Sequence, residues 1–158
     1  MNRSSTNFLR AVVFLIGLTV LLLCIFALPL IASEGSESNY APFLYAVIIG
    51  MYIAAIPFFI ALYQALKLLS FIDKDHAFSN SSVRALRNVK FCAVTISIVY
   101  MVVMPFFYII GEKDDAPGVI VIGLVFIFAS LVIAVFTAVL QKLLENAIDI
   151  KAENDLTV

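Results

Sequence analysis

The stretch Val119–Leu140, VIVIGLVFIFASLVIAVFTAVL, decides the fold of this chain. It holds 22 residues without one Lys, Arg, Asp or Glu. A helix needs about 20 mainly apolar residues to cross the hydrocarbon core of a bilayer. A transmembrane strand would be about half as long and would alternate in polarity, which this stretch does not do. We therefore predict that it forms a membrane-spanning helix.

Three further blocks of the same kind precede it. Uncharged, apolar residues fill Ala11–Ala32, Phe43–Tyr63 and Phe91–Ile110. Because lipid offers no hydrogen-bond partners to the backbone, each block should be helical. The first block is longer than the apolar core of a signal peptide, so we interpret it as a retained anchor. The sequence thus predicts an all-α protein with a single membrane domain over residues 1–158, a bundle of four antiparallel transmembrane helices at about 11–32, 43–63, 91–110 and 119–140.

The composition of the whole chain agrees with this class. It is 63% hydrophobic and 13% charged, and its mean hydropathy is +1.09. Soluble domains carry about 25% charged residues. The formal net charge of −1 provides no basic field for nucleic acid. We expect the lipid bilayer to surround most of the chain and expect no direct contact with nucleic acid.

The distribution of Lys and Arg predicts the orientation in the membrane. Nine of the ten precede the first block, follow the fourth or lie between the second and third, and Lys113 lies between the third and fourth. Positive loops stay on the cytoplasmic side. We therefore expect a multi-pass protein of the cell membrane with both termini in the cytoplasm. Its cytoplasmic connection would cover residues 64–90, and a cytoplasmic C-terminal helix would cover residues 141–152.

The central connection contains a helix start. Ser79 is a favourable N-cap residue, and Phe78 and Val83 stand at the two positions of a hydrophobic staple. A helix is therefore predicted to run from Asn80 into the third block.

Charge and one aromatic side chain make this connection the best candidate for a cytoplasmic contact surface. The alternative is that the connection is an ordinary solvated loop, which is positively charged because it lies on the inner side of the membrane. The candidate residues are Asp73, Asp75, Phe78, Arg84 and Arg87.

The second and fourth helices should extend beyond the membrane. Apolar residues continue past both blocks with helical spacing, which predicts amphipathic extensions. Each apolar face needs a partner, which is either the other extension or another protein. The residues of the two stripes are Leu62, Leu66, Leu69 and Ile72, and Leu140, Leu143, Leu144, Ala147 and Ile148.

No pattern of catalytic or metal-binding residues is present. His76 is the single histidine, so no second histidine could share a metal with it. No glycine-rich phosphate loop is found. No ionisable Asp, Glu, Lys, Arg or His lies inside a predicted span, where it would indicate an ion path. We predict a non-enzymatic protein without catalytic residues, metal or cofactor.

Three prolines are candidate kink residues. Pro29, Pro57 and Pro105 lie inside the first, second and third blocks, where proline frees a backbone carbonyl. Together with the hydroxyl side chains of the spans, they leave open the alternative that the chain is a small-molecule binding or transport protein with an intramembrane pocket. A structural subunit of a membrane complex, including a homo-oligomer, is a further alternative, although the sequence lacks the GxxxG motif of close helix pairs.

Four segments carry a resemblance to a known family. They are ALYQALKLLSFID (61–73), AFSNSSVRALRNVK (77–90), DDAPGVIVIGLVFIFAS (114–130) and AVLQKLLENAIDIKAENDLTV (138–158). Over essentially its whole length the chain resembles the YoaS-like family of small bacterial four-span membrane proteins, a domain family of unknown function. Its members are often encoded beside a small helix-turn-helix regulator, so the resemblance implies such a regulator as a cytoplasmic partner. It implies no role for any individual residue.

Overall fold

The computed structural model describes residues 3–157, and its regular structure there is helical. The elements follow in the order α1 (Arg3–Leu22), a π-helical turn (Leu23–Ala27), α2 (Leu28–Glu34), α3 (Ala41–Asp73), α4 (Asn80–Lys113) and α5 (Pro117–Thr157). The α1 helix, the π turn and α2 form the first of four long helices. All four are long and apolar enough to cross a membrane. The predicted all-α class and the four predicted helical blocks are confirmed.

Neighbouring helices run antiparallel, because the start of one contacts the end of the next. Near the start of α3, the Phe43 ring lies 6.2 Å from the Phe106 ring near the end of α4. In the next pair, the Tyr100 ring of α4 lies 5.1 Å from the Phe126 ring of α5. The short connections between these helices allow no other direction.

The four long helices form an open row. Within residues 3–157, α4 packs extensively on α3 and on α5, the first long helix makes a much smaller contact with α3, and the first and last long helices make no comparable contact. The predicted bundle is therefore not a closed four-helix bundle. In lipid, no hydrophobic force draws helices together, since lipid tails are as apolar as the side chains. An open row thus leaves apolar side chains exposed without the penalty that water would impose.

The packed core lies between α3, α4 and α5. The α4 helix is at its centre because α3 and α5 pack on two of its sides. Partly buried side chains from α3 and α5 complete the cluster, among them Met51 and Ile127. The buried members are Val47, Ala54, Tyr100, Val103, Phe107 and Ile110.

The Ser and Thr hydroxyl groups inside the predicted spans serve their own helix. Five of them donate a hydrogen bond to the carbonyl oxygen four residues earlier, as is usual for Ser and Thr in membrane helices. Their protons are therefore committed to the backbone and not offered to a ligand, which weighs against the hydroxyl-lined pocket. The five are Thr19, Thr95, Ser97, Ser130 and Thr137, with bonds of 2.6–3.1 Å.

The first long helix is distorted beside Pro29. The Leu28 N–H donates to the Leu23 carbonyl, five residues back, as in a π-helix. The next bond of that register would join the nitrogen of Pro29 to the Cys24 carbonyl, and proline has no N–H to donate. The Tyr52 hydroxyl of α3 donates to the Cys24 carbonyl instead, at 2.5 Å. A side chain of the neighbouring helix thus satisfies the carbonyl that the proline leaves free.

The other two candidate kink residues lie inside continuous helices. Pro57 is within α3 and Pro105 is within α4, and both helices continue through these positions. That either proline bends its helix stays a prediction.

Candidate functional site

The two helix extensions meet at one end of the molecule. We call this the basal end: the C-terminal part of α3, the 74–79 turn, the start of α4 and the C-terminal part of α5. The α3 helix continues past Tyr63 to Asp73 and α5 continues past Leu140 to Thr157. At 1.5 Å per residue these extensions are about 15 and about 25 Å long. Both predicted extensions are confirmed as helix, and the second runs beyond the predicted end at residue 152.

Asp75 ends α3. Its φ of 59° is the left-handed conformation that usually follows a helix C-terminus. The Asp75 N–H donates to the Ile72 carbonyl at 3.2 Å, and the His76 N–H donates to the Phe71 carbonyl at 2.7 Å. These two bonds are the Schellman pattern, in which glycine is commonest and a short polar residue is tolerated. The backbone of Asp75 therefore has a structural role, while its side chain is exposed.

Ser79 begins α4, as predicted. Its backbone is extended, with φ −137° and ψ 159°, and its hydroxyl oxygen accepts the N–H of Ser82 at 3.3 Å. The hydroxyls of Ser79 and Ser82 both donate to the His76 carbonyl, at 2.6 and 3.1 Å. Ser82 is fully buried. The turn between α3 and α4 is therefore held by a defined set of hydrogen bonds.

An open apolar groove of about 410 Å³ occupies the basal end. We call it the basal groove. Phe78 lines it and remains 56% exposed, while Val83 is buried. That the two side chains form a hydrophobic staple stays a prediction. A neighbouring cavity of about 380 Å³ is bordered by Asp75. The lining of the basal groove is Leu68, Ile72, Ala77, Phe78, Leu86, Leu140, Leu143, Leu144 and Ala147.

The two apolar extensions share this groove and do not pack closely on each other. Leu68 and Ile72 come from α3, and Leu143 and Leu144 come from α5. The start of α4, with Leu86, lies between them and keeps them apart. This groove and its neighbour are both open to the surface, and both lie at the basal end.

Asp73 belongs to an internal ion pair and not to the predicted contact surface. Its Oδ2 atom lies 2.7 Å from Nη2 of Arg10 on α1, and its side chain is only 14% exposed. The other oxygen, Oδ1, is buried and has no hydrogen-bond donor among the described residues. The ion pair joins α1 to the end of α3. It therefore also places the start of α1 at the basal end.

Arg84 and Arg87 lie on the side of α4 that faces away from the basal groove. Both are exposed, and they precede the exposed Phe91 by seven and four residues, which puts all three on one helical face. Ile98, seven residues further on, continues that face and is also exposed. Leu86, which lines the groove, is buried on the opposite side.

The five candidate residues therefore do not form one surface. Asp73 is paired with Arg10, Asp75 and Phe78 border the cavities of the basal end, and Arg84 and Arg87 face the other way. What the structure adds is the basal groove. Most of the second predicted stripe lines it, but of the first stripe only Ile72 does, and the remaining lining belongs to neither stripe: Leu68, Ala77, Phe78 and Leu86.

Metal ligands do not cluster in the part of the chain that the structure describes. Residues 3–157 contain no group of three or more His, Cys, Asp or Glu placed to hold a metal ion. The absence of an enzymatic activity and of a cofactor stays a prediction.

Comparison with known proteins places the chain in a family. The family described as "Protein of unknown function (DUF2975)" matches residues 30–158. The uncharacterized membrane protein YoaS of Bacillus subtilis (strain 168) is 63% identical over 160 residues, which cover 100% of both chains. No solved structure matches this chain. The resemblance found in the sequence is confirmed: the chain belongs to the DUF2975 family and is a multi-pass membrane protein with four candidate spans.

Proposed function

We propose that this protein is a non-enzymatic membrane protein that binds a cytoplasmic partner in its basal groove. The observation that carries the proposal is the groove itself. Its nine lining residues are apolar, and it lies on helix extensions that continue beyond the apolar blocks. Burial of apolar surface is worth about 25 cal/mol per Å² in water, so an open apolar groove outside the lipid favours occupation.

The proposal places the basal end and both termini in the cytoplasm. The start of α1, the 74–79 turn and the C-terminal part of α5 all lie at this end. The segments at this end contain nine of the ten Lys and Arg residues, and the opposite turns contain Lys113 with five carboxylates. The positive-inside rule supports this orientation.

The occupant that fits the groove is an amphipathic helix of the partner. The groove is bordered by two helices, α3 and α5, with the start of α4 at its floor. A third helix can lie between them and insert apolar side chains at positions i, i+3, i+4 and i+7. A small helix-turn-helix regulator consists of short amphipathic helices of this kind. It is also the partner that the family resemblance implies.

Transport through an intramembrane pocket receives less support. The two cavities described above lie at the basal end, and five span hydroxyls already donate to their own helices. A structural subunit of a membrane complex would use the same groove to bind another membrane protein. The identity of the protein that co-purifies distinguishes this function from the binding of a regulator.

Leu143→Glu tests the groove. Leu143 lines it and is 59% exposed, so the change should place a charge in the groove without disturbing the packed core. We expect capture of the proposed helix-turn-helix regulator to fall at least tenfold, because truncating or charging a central contact costs about 2 kcal/mol or more. The measurement is co-purification of the purified, tagged protein in detergent with the separately purified regulator.

The matched control is Leu156→Glu. Leu156 is on the same helix and 86% exposed, but it does not line the groove. It should capture the regulator as the unchanged protein does. Equal capture by Leu143→Glu, with the same helical content, would remove the groove as the binding site. Failure of the unchanged protein to bind the regulator would exclude the regulator as its partner.

A further inference from the structure

The first long helix is attached to the rest of the protein along one narrow stripe. Only 6% of its most apolar stretch is buried inside the protein, compared with 28% for α3 and 28% for α4. Three contacts with α3 mark the stripe, and they are made by residues 10, 17 and 24. Positions that recur every seven residues lie on one face of a helix, so the remaining faces of this helix are exposed to lipid.

The three contacts differ in kind. At the basal end, Nη2 of Arg10 lies 2.7 Å from Oδ2 of Asp73. Further along, Gly17 lies so close to α3 that a Cβ atom added to it would be 3.2 Å from Cδ1 of Leu62. The third contact is the hydrogen bond that α3 donates to the π turn. Since lipid provides no hydrophobic force that would press the helix onto α3, such contacts determine its position.

The ion pair lies beside the basal groove. Asp73 is the last residue of α3, and Ile72, the residue before it, lines the groove. The Schellman cap that follows leads directly into Ala77 and Phe78, which also line the groove. The end of α3 therefore determines where three of the nine lining residues lie.

The carboxylate of Asp73 depends on Arg10. Its Oδ2 atom is paired with Arg10, and its Oδ1 atom is buried without a donor among the described residues. The side chain is 14% exposed, so little water reaches it. If Arg10 moves away, a mostly buried charge loses its partner, which is a costly state. The end of α3 then has to move until water reaches the carboxylate.

We propose that the first long helix regulates the basal groove through the ion pair of Arg10 and Asp73. While the helix lies against α3, the ion pair holds the end of α3 and the three lining residues in place. When the helix is displaced within the membrane, the cap of α3 opens and the groove loses part of its wall. Arg10 is thus a positioning residue. The inference rests on the proposed function of the groove, but its structural part is measured on the protein alone.

Hydrogen–deuterium exchange of the protein in lipid nanodiscs tests the ion pair. In Arg10→Gln, we expect the amides of residues 74–79 to exchange about tenfold faster, because the cap is then open more often. The turn at residues 114–116 is an internal control with the same cap: Asp115 has a φ of 50°, and the Ala116 N–H donates to the Gly111 carbonyl at 2.9 Å. Its exchange should stay unchanged. Lys151→Gln removes an exposed positive charge of the basal end and should leave both turns unchanged.

Gly17→Leu tests the displacement of the helix. Residue 17 lies seven positions after Arg10, which is about 10 Å along the helix axis. A leucine side chain at this position has to push the helix away from Leu62. We expect exchange at residues 74–79 to become about threefold faster or more, although the change is distant from this turn. Leu18→Phe is the matched control, since it enlarges an exposed side chain of the same helix and should have no effect.

Unchanged exchange at residues 74–79 in Arg10→Gln or in Gly17→Leu would overturn the proposal. Equal acceleration at both turns would also overturn it, because the ion pair would then stabilise the whole chain and not the groove in particular. Neither measurement involves the partner. The capture experiment with Leu143→Glu therefore decides the proposed function independently of this outcome.

Discussion

Replacing Gly50 with alanine should destabilise the protein by about 1–3 kcal/mol, the range typical of overpacked cores. A Cβ atom at Gly50 would lie 2.6 Å from Cγ1 of Val103, closer than two carbon atoms can approach. Val103 is buried in the core cluster, and its branched side chain has little rotamer freedom in a helix. The clash therefore has to separate α3 from α4. The free energy of unfolding, measured by denaturing-detergent titration in mixed micelles, reports the loss.

Gly118→Ala is the matched control. A Cβ atom at Gly118 meets nothing within 4 Å, so alanine should be neutral or should stabilise α5 by up to about 1 kcal/mol through its helix propensity. Combining Gly50→Ala with Val103→Ala should cost less than the sum of the two single changes, because Val103→Ala removes the atom that clashes and the new methyl group at position 50 fills part of the space it leaves. If Gly50→Ala were as stable as Gly118→Ala, α3 and α4 would not be in contact at this level.

Asp73→Asn should lower the free energy of unfolding by about 1–3 kcal/mol, less than the roughly 3–5 kcal/mol typical of a fully buried ion pair. The pair is only partly shielded, since the Arg10 side chain is 33% exposed and that of Asp73 14% exposed. Removing the carboxylate charge leaves Arg10 without its partner and loosens α1 from α3. A double-mutant cycle with Arg10→Gln, followed by the same unfolding titration, isolates the coupling between the two side chains.

Asp75→Asn provides the comparison for this change. Like Asp73→Asn, it removes one negative charge, but two residues further along and on an exposed side chain. Asparagine also tolerates the left-handed backbone at this position. Its effect should stay within about 0.5 kcal/mol. Additive effects of Asp73→Asn and Arg10→Gln in the cycle would show that the two side chains do not interact.

Local features of the fold could be predicted from the sequence because they depend on neighbouring residues. The length of Val119–Leu140 and its lack of charge are sufficient to predict a spanning helix. The cap at Ser79 requires only residues three positions apart, and in the structure the Ser79 hydroxyl oxygen accepts the N–H of Ser82, as an N-cap residue does. The helix extensions were likewise predictable, since their apolar spacing continues past the spans.

Contacts between distant residues could not be predicted in the same way. The Arg10–Asp73 ion pair and the bond from Tyr52 to the Cys24 carbonyl depend on the register of the first hairpin. In a soluble protein the apolar side of a helix shows which side packs, but membrane helices are apolar on all sides. The open row of helices was therefore not visible in the pattern.

The residues of the predicted contact surface lie on different sides of the molecule for the same reason: the apolar pattern of a membrane helix does not show which side packs. Phe78 and Arg84 are six residues apart in one charged segment of the sequence. Which side of α4 they occupy depends on where α3 and α5 pack, and the buried Leu86 fixes that side only in the folded chain. Phe78 consequently lies at the basal groove, while Arg84 lies with the lipid-facing residues.

The side of the membrane that the basal end faces tests the proposed function most directly, because a cytoplasmic partner can reach the groove only from that side. Lys74, in the turn of the basal end, and Glu37, in the opposite turn between α2 and α3, are both exposed. Each is replaced by cysteine in a chain whose Cys24 and Cys92 are changed to serine, and intact cells are treated with a membrane-impermeant maleimide. We expect Glu37→Cys to be labelled in intact cells and Lys74→Cys only after the cells are opened. Labelling of Lys74→Cys in intact cells, with Glu37→Cys protected, would contradict a cytoplasmic basal groove.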